Sequence, residues 1–491
     1  MITQINYAPS YLQGVYNPII WSVTSNQIAQ TNFSYVFDVY INGTFQIRLK
    51  VKPNPSGVGM VDVSQICQSF LPIDIVPETI IDNASDLIFA DNLNSSLHVF
   101  LKVGEEYGSP GVIYNGVTTG VVGAPSYNLY SKKLLPGSID IPVHAWNSSL
   151  EFKEQQEGMS VFTASSGGYG FLGSRFKTFD WGLSVLNPFN DRAYPLTYSI
   201  LNQKVYLKDV NILSFINWTK YATLNDNYIA FCKIRYYNAS GTLVNQYNAS
   251  LDSFSGFNQK LNCSTVVTTQ LNTRYDIVHV DSQLDHLMYY FNSKLSTGYT
   301  LAPSESMSIQ MYTHQTANGC VPNIASTQEV RFTMLEDCDT LYTRVRLSWL
   351  NDLGGRDYMN FTMFTEKEIQ TTNDNYYQET MNWSWAAPVP INFQNPNENL
   401  SIKGGNVIYN KQASTSWMLN TDWLTQDEVN LLEGLQKSSH VLAYFNDNLY
   451  NQYAPYSVRI GQTSYKTKNI KQVKMVQGEF EIFLNQIQKI N

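Results

Sequence analysis

The sequence predicts a mainly β chain: tandem antiparallel β-sandwich-like domains with short helices, ending in a C-terminal α+β domain. Three observations carry this expectation. Two separate segments read as an aromatic strand, an Asn/Gly turn and a return strand, which is the pattern of a β-hairpin. Aromatic residues make up 13% of the 491 residues, with 33 tyrosines, and such rings suit pleated, half-buried surfaces. Charged residues reach only 15%, against about a quarter in ordinary globular domains. Asn, Gln, Ser and Thr must therefore build the polar surface.

The first hairpin is NFSYVFDVYINGTFQIRLKV, residues 32–51. Phe33, Tyr35, Phe37, Val39 and Ile41 alternate onto one face. Asn42-Gly43 supplies the turn, because both residues tolerate positive φ. Phe45, Ile47, Leu49 and Val51 alternate on the return strand, with Gln46, Arg48 and Lys50 opposite. After the break at NPSGVG, the segment DVSQICQSFL reads as a short helix. Asp62 is its expected cap and Gln65 the capping-box partner, and Val63, Ile66, Cys67 and Phe70 share one face. The strand LHVFLKV completes a domain expected over 1–130. The middle domain, 131–345, is strand-rich with long polar loops, and its hairpin YIAFCKIRYYNASGTLVNQY repeats the plan of the first. In the C-terminal domain, 346–491, TDWLTQDEVNLLEGLQKSSH is the strongest helix. Thr425 and Glu428 form a capping box, Leu424 and Val429 a hydrophobic staple, and Val429, Leu432 and Leu435 face a core. Strands follow at HVLAYF, YSVRI and EFEIFL.

The net charge of −8 disfavours nucleic acid as a partner, since neutralising phosphates requires a basic face. The most basic run, SYKTKNIKQVK at 464–474, reads as a solvated strand edge. Five cysteines, Cys67, Cys232, Cys263, Cys320 and Cys338, are scattered without a C-x-x-C pair. That spacing suits neither a disulfide framework nor a zinc site. Buried free thiols are expected, with Cys67 a core residue, although Cys320 and Cys338 could meet across strands. The N-terminus has neither the basic nor the apolar region of a signal peptide, and no apolar run reaches about 18 residues. Neither export nor membrane insertion is therefore expected, and the sequons at Asn94, Asn217 and Asn382 reflect composition.

Several clusters invite chemistry. GGYGFLG places Gly168, Gly170 and Gly173 in a G-x-G-x-x-G, but SRFKTFDW follows without a helical pattern. A glycine-aromatic loop is expected rather than a phosphate cradle. His279, Asp281, Asp285 and His286 are candidate metal ligands, with a capped polar turn as the alternative. Glu151, Glu154 and Glu157 could supply a glycosidase pair, but three glutamates on one short segment read as a solvated face. The six histidines form no triad pattern. No catalytic residue, cofactor or metal is expected. LSWLNDLGGRDYMNF reads as a hairpin: Val345, Leu347 and Trp349 alternate before the NDLGG turn. Arg356 and Asp357 lie beside that turn, free to pair with each other or with a neighbour. Trp349, Arg356, Asp357 and Tyr358 are accordingly the expected subunit contact.

The order of these features carries a resemblance. NPIIWSV precedes FDVYINGTF and PNPSGVGMVDVSQI; CDTLYTRVRLSWLNDLGGRDYMNF and TDWLTQDEVNLLEGLQKSSHVLAYF follow. Together they resemble structural proteins in the virions of tailed bacteriophages of Bacteroidota, the crAss-like podoviruses in particular. The resemblance runs over most of the chain and is strongest towards its two ends. It rests on turns and caps, so it implies a family and carries over no site residue. It implies a head-fibre or capsid-decorating subunit, assembled in the bacterial host cytoplasm and located in the virion. Such a subunit would be a homo-oligomer docked on other virion proteins of the capsid or of the neck and tail. A tail or baseplate-type ring or hub component is one alternative. A protein that binds or degrades host surface glycan is the other, motivated by the Tyr- and Trp-rich loops.

Overall fold

Asn42 and Gly43 both hold positive φ, 48° and 79°, as a two-residue hairpin turn of this hand requires. The strands they join, Ser34–Ile41 and Thr44–Val51, pair from Ile41 with Thr44 to Tyr35 with Val51. The expected hairpin is therefore present, and it organises the N-terminal part of the chain. The computed structural model describes residues 2–9, 12–71, 88–89, 96–115, 123–125, 127–129, 143–146, 148, 152–154, 169–171, 195–216, 229–250, 277–315, 321–325, 327–336, 344–363, 365–378, 405–421, 424, 426–445, 455–461, 478–484 and 488–489. The expected features at Asn94, Asn217, Asn382, Thr425, Cys263, Cys320, Cys338 and 464–474 lie outside these residues.

The chain is mainly β, in several antiparallel sheets with three helices among the described residues. It divides into two units. One takes in Met1–Asp339, Ser348–Met359 and Asp427–Ser439; the other takes in Thr340–Leu347, Asn360–Gln426 and His440–Asn491. These units interleave in sequence, whereas the expected cuts at 130 and 345 are linear.

In the first unit, a seven-stranded sheet is built on the first hairpin. Ser34–Ile41 lies between Thr44–Val51 and Ser96–Glu106, and Val143–Trp146 and Leu12–Gly14 extend the sheet. A three-stranded sheet of Ile2–Tyr7, Ile20–Ser25 and Val58–Asp62 shares one core with it. Trp21, Val23 and Val61 from the smaller sheet meet Tyr35, Phe37, Val39, Val99 and Leu101 from the larger. Burying Phe37 or Val39 contributes roughly 1.5–3 kcal/mol each. Central placement also buries the other face of Ser34–Ile41. Asp38 is buried and accepts both Arg48 Nε at 2.6 Å and a second guanidinium nitrogen at 2.8 Å, which satisfies its charge. Phe45 and Ile47, expected on the covered face of the return strand, are exposed: a register shift between Val39 and Tyr40 sets Phe45 opposite Tyr40 on the other face, their rings 5.8 Å apart, and Ile47 lies on the edge strand of the sheet.

Helix α1, Ser64–Phe70, begins one residue later than expected, with Val63 at the cap position. Asp62 still serves the helix start, since its Oδ1 accepts the Ser64 N–H at 2.9 Å and also the Ile19 N–H at 3.0 Å. Val63 and Cys67 are in the core as expected, but Phe70 is exposed because the helix ends there after seven residues.

The second core of this unit lies under a six-stranded sheet containing Ile229–Tyr237, Leu243–Ser250, Ser306–Gln315 and Val330–Met334. The expected second hairpin is Ile229–Tyr237 with Leu243–Ser250. Asn238 Oδ1 closes its turn by accepting the Thr242 N–H at 2.9 Å, a side-chain-to-backbone bond of the kind that favours Asn in turns. Helix α2, Leu284–Leu295, packs Leu287, Tyr290 and Phe291 against Ile234, Ile309 and Phe332. Gly170 belongs to a short strand, Tyr169–Phe171, paired with Phe152–Glu154. That corrects the expectation of a loop there: backbone pairing, not glycine freedom, sets this stretch.

In the second unit, antiparallel strands follow the order Val441–Phe445, Tyr456–Ile460, Glu479–Leu484, Gly405–Asn420, Thr365–Gln378. Phe361 packs on Phe480, and Trp417 on Phe445. Helix α3, Gln426–Lys437, which belongs to the first unit from Asp427 onward, buries Val429, Leu432 and Leu435, the expected face. No helix among the described residues is long and apolar enough to cross a membrane.

Candidate functional site

The hairpin expected to contact a neighbour comprises Val345–Leu350 and Arg356–Phe361. Asn351 knits its turn. Its Oδ1 accepts the Leu353 and Gly355 N–H groups at 3.0 Å each, and its backbone N–H donates to the Gly355 carbonyl at 3.0 Å. Gly354 holds φ +87°, a left-handed conformation that favours glycine. A Cβ on Gly355 would lie 2.0 Å from the Leu196 carbonyl oxygen, so only glycine admits the segment that crosses there. Asn351 Nδ2 donates to that carbonyl at 3.0 Å and to Asp357 Oδ2 at 3.1 Å. Asp357 Oδ1 in turn accepts the Thr197 hydroxyl, and the Tyr198 N–H at 2.9 Å.

This geometry corrects the expected contact. Trp349 and Asp357 are wholly buried, and Arg356 and Tyr358 nearly so. None of the four presents a surface to a neighbour. Every residue of Val345–Leu350 is buried, Arg346 and Ser348 included, so the alternation marked a strand covered on both faces. Asp357 is engaged by Thr197, Tyr198 and Asn351, and an Arg356 guanidinium nitrogen lies 3.3 Å from Ser348 Oγ. Burial pushes the Asp357 carboxyl up to about 6, against hydrogen bonds from Thr197, Asn351 and the backbone that favour its charged form. Replacing Thr197 by valine keeps the shape and removes one donor. It is expected to cost about 1–3 kcal/mol, measured by urea unfolding.

The His279–His286 segment does not gather its side chains around one point. His279 is buried and its Nδ1 faces Ser214 Oγ at 2.9 Å. Burial, and then the Arg356 charge, push its imidazole down to about 3. A neutral, enclosed imidazole with no carboxylate among its described partners orients nothing for base catalysis. His286 instead pairs with Asp281, Nδ1 to Oδ2 at 2.6 Å. Asp281 Oδ1 also accepts the Gln283 N–H at 3.0 Å, closing the turn ahead of α2. No group of three His, Cys, Asp or Glu among the described residues is placed to hold a metal ion. Cys67 and Cys232 are buried free thiols, both pushed up to about 12 chiefly by burial. Glu154 lies in a strand opposite Tyr169; Glu151, Glu157, Gly168 and Gly173 lie outside the described residues.

The exposed feature of the second unit is a long two-stranded ribbon. Thr365–Gln378, 14 residues, pairs along its whole length with Gly405–Asn420, 16 residues, a reach of about 45 Å. The base of the ribbon is held. Trp417 and Leu419 are buried, residues 416–420 pair with Glu479–Leu484, and Gln412 and Ala413 pair with Gln488–Lys489. Beyond Gln412 no third strand pairs with the ribbon among the described residues. Residues 366–377 are exposed on both faces. Tyr377 is 69% exposed, Ile369 59%, Ile408 52% and Tyr376 47%. Ile408 lies opposite Asn375, and Val407 opposite Tyr376.

No protein-family model matches this chain, and no curated protein sequence matches it.

An isolated two-stranded ribbon is at best marginally stable in water. An edge strand with unpaired backbone groups is in turn a template for pairing. The ribbon can therefore bind extended backbone along its edge and bury tyrosine and isoleucine on its faces, without any chemical step. Sequence reasoning missed it because TEKEIQTTNDNYYQ lacks period-two hydrophobic alternation. That lack, across a β-favouring stretch of Thr, Ile and Tyr, was the available signal for a strand exposed on both faces among the described residues.

Proposed function

We propose that this chain is a structural subunit of a tailed-phage virion, a head-fibre or capsid-decorating protein whose work is protein–protein binding. The ribbon is the observation that carries this reading. About 45 Å of paired strand bears Ile369, Tyr376, Tyr377 and Ile408 in the open, and an arm of that kind gains its stability from a neighbouring subunit. Tyrosine at a contact supplies large rigid area at low entropic cost. The phage assignment itself draws on the sequence resemblance at the two ends of the chain. Antibody labelling of purified particles in the electron microscope tests it. The expected result is label on the head surface at many copies per particle. Label at the tail or neck would favour the ring or hub alternative, and absence of the chain from purified particles would overturn the reading.

A further inference from the structure

The outward face of the six-stranded sheet in the first unit is polar across five strands. Asn202 lies beside Arg331, Arg331 beside Ser308, Ser308 beside Arg235, and Arg235 beside Gln246. Lys204, Thr333, Gln310, Lys233 and Asn248 stand two positions along the same strands and so share this face. The other face carries the core residues Val205, Phe332, Ile309 and Ile234. Phe231, at one end of the outward face beside Tyr312, is buried. The open part is bordered by Asn202 and Lys204 on one side and by Gln246 and Asn248 on the other, all exposed, with Lys233 and Arg331 half-buried between them.

One cation of this face is built into the sheet. Arg235 donates from one guanidinium nitrogen to Gln310 Oε1 at 2.9 Å and to the Tyr312 hydroxyl at 2.8 Å, and its other terminal nitrogen lies 3.2 Å from Glu329 Oε2. Glu329 Oε1 accepts the Ser308 and Tyr237 hydroxyls at 2.6 Å each. Two more cations are held by rings instead of by acids. The Arg331 guanidinium lies 3.8 Å from the centre of the Tyr237 ring, and Lys233 Nζ lies 4.3 Å from the centre of the Tyr312 ring. A ring fixes a cation in place without cancelling its charge. Among the described residues, Lys204, Lys233 and Arg331 have no ion pair. The face and its margin at Glu329 thus hold four of the chain's 32 Lys and Arg but one of its 40 Asp and Glu. Cations gathered on neighbouring strands repel one another until an anionic surface meets them. The whole chain carries −8, so its acid excess lies elsewhere on the same molecule.

We propose that the basic face around Lys204, Lys233 and Arg331 docks on an acidic surface of a second copy of this chain. The contact is heterologous, because the face and the surface it meets are different parts of the molecule, so repetition closes a ring or extends a fibre. This deepens the structural-subunit reading and rests on it, naming a neighbour and the face that meets it. Sedimentation equilibrium of the full chain at about 0.05 M salt should give a mass above that of one chain, and association should weaken at least about tenfold at about 0.5 M salt. Lys204→Glu, Lys233→Glu and Arg331→Gln should each keep the fold, which circular dichroism checks, and each should associate at least about tenfold more weakly than the wild type at low salt. Lys437→Glu makes the same charge change at an exposed position on α3 and should associate as the wild type does. A wild type that is monomeric at low salt, association indifferent to salt, or face variants that associate as the wild type does would each overturn the proposal. So would a monomeric wild type that binds poly-L-glutamate through Lys204 and Lys233, which would assign the face to a different acidic partner. A chain that is monomeric in solution yet recovered in particles would remove this self-contact and leave the virion reading standing.

Discussion

Replacing Gly355 by alanine is expected to destabilise the first unit by about 3 kcal/mol or more, the largest effect of any single methyl group in the hairpin. The added Cβ would stand 2.0 Å from the Leu196 carbonyl oxygen. That atom belongs to backbone and cannot turn aside as a flexible side chain would. Nor can the segment retreat cheaply. Asn351 Nδ2 holds the Leu196 carbonyl, and Asp357 holds Thr197 and Tyr198. Withdrawal would leave a buried carboxylate short of its donors. Gly354→Ala is the comparison: backbone strain at φ +87° is expected to cost it about 1–2 kcal/mol. Urea unfolding followed by tryptophan fluorescence should rank Gly355→Ala well below Gly354→Ala in stability. A Gly355→Ala chain within about 1 kcal/mol of the wild type would contradict the hairpin–segment contact.

The second large effect is a dependence on acid that comes from His279. Its folded value of about 3 lies below the ordinary histidine value of 6.5, first because the ring is buried and then because Arg356 is nearby. The unfolded imidazole takes up a proton as pH falls through 6.5, while the folded one stays neutral. The stability it contributes is therefore complete above about pH 7 and declines by about 1.4 kcal/mol per unit on acidification. Asp357 acts in the opposite direction. Its folded value of about 6 lies above the ordinary 3.8, so this group adds stability as pH falls through 6. Asp281, also raised chiefly by burial, works the same way. The wild-type slope is the resultant of these groups, and the histidine part is isolated by difference. His279→Asn keeps a polar atom towards Ser214 and does not titrate. Between pH 7.5 and 5.5 the variant should lose about 1.4 kcal/mol less stability than the wild type. Equal losses in the two chains would show that His279 is charged in the folded state or open to water.

What could be read in advance follows from the range of each interaction. The Asn42-Gly43 hairpin, its repeat at Asn238, and the core face of α3 are set by residues within a few positions of each other, and turn chemistry or periodicity displays them. The role of Asn351, Gly355 and Asp357 depends on Leu196, Thr197 and Tyr198, about 155 residues earlier, and no local pattern announces such a crossing. Arg356 and Asp357 looked like surface residues because charged side chains are seldom fully buried without partners. Their partners were the missing information. The Asn-Asp-Leu-Gly-Gly turn was recognised as a turn, yet the reason for its second glycine is a carbonyl from elsewhere. The ribbon was hidden for the reverse reason. Its strands pair in register with each other, but Ile369, Tyr376 and Tyr377 face solvent, so no hydrophobic rhythm marked them.

The central claim, that the ribbon is where this chain meets its neighbour, is tested most directly by amide hydrogen exchange across Thr365–Gln378. Exchange would be compared between the dilute free chain and the chain assembled in purified particles. Edge N–H groups without a partner exchange readily, and pairing with another strand slows them. The expected result is exchange at least about tenfold slower in the assembled state across this strand, with little change in Ser34–Ile41 at the centre of its own sheet. Equally fast exchange of Thr365–Gln378 in particles that demonstrably contain the chain would contradict the account.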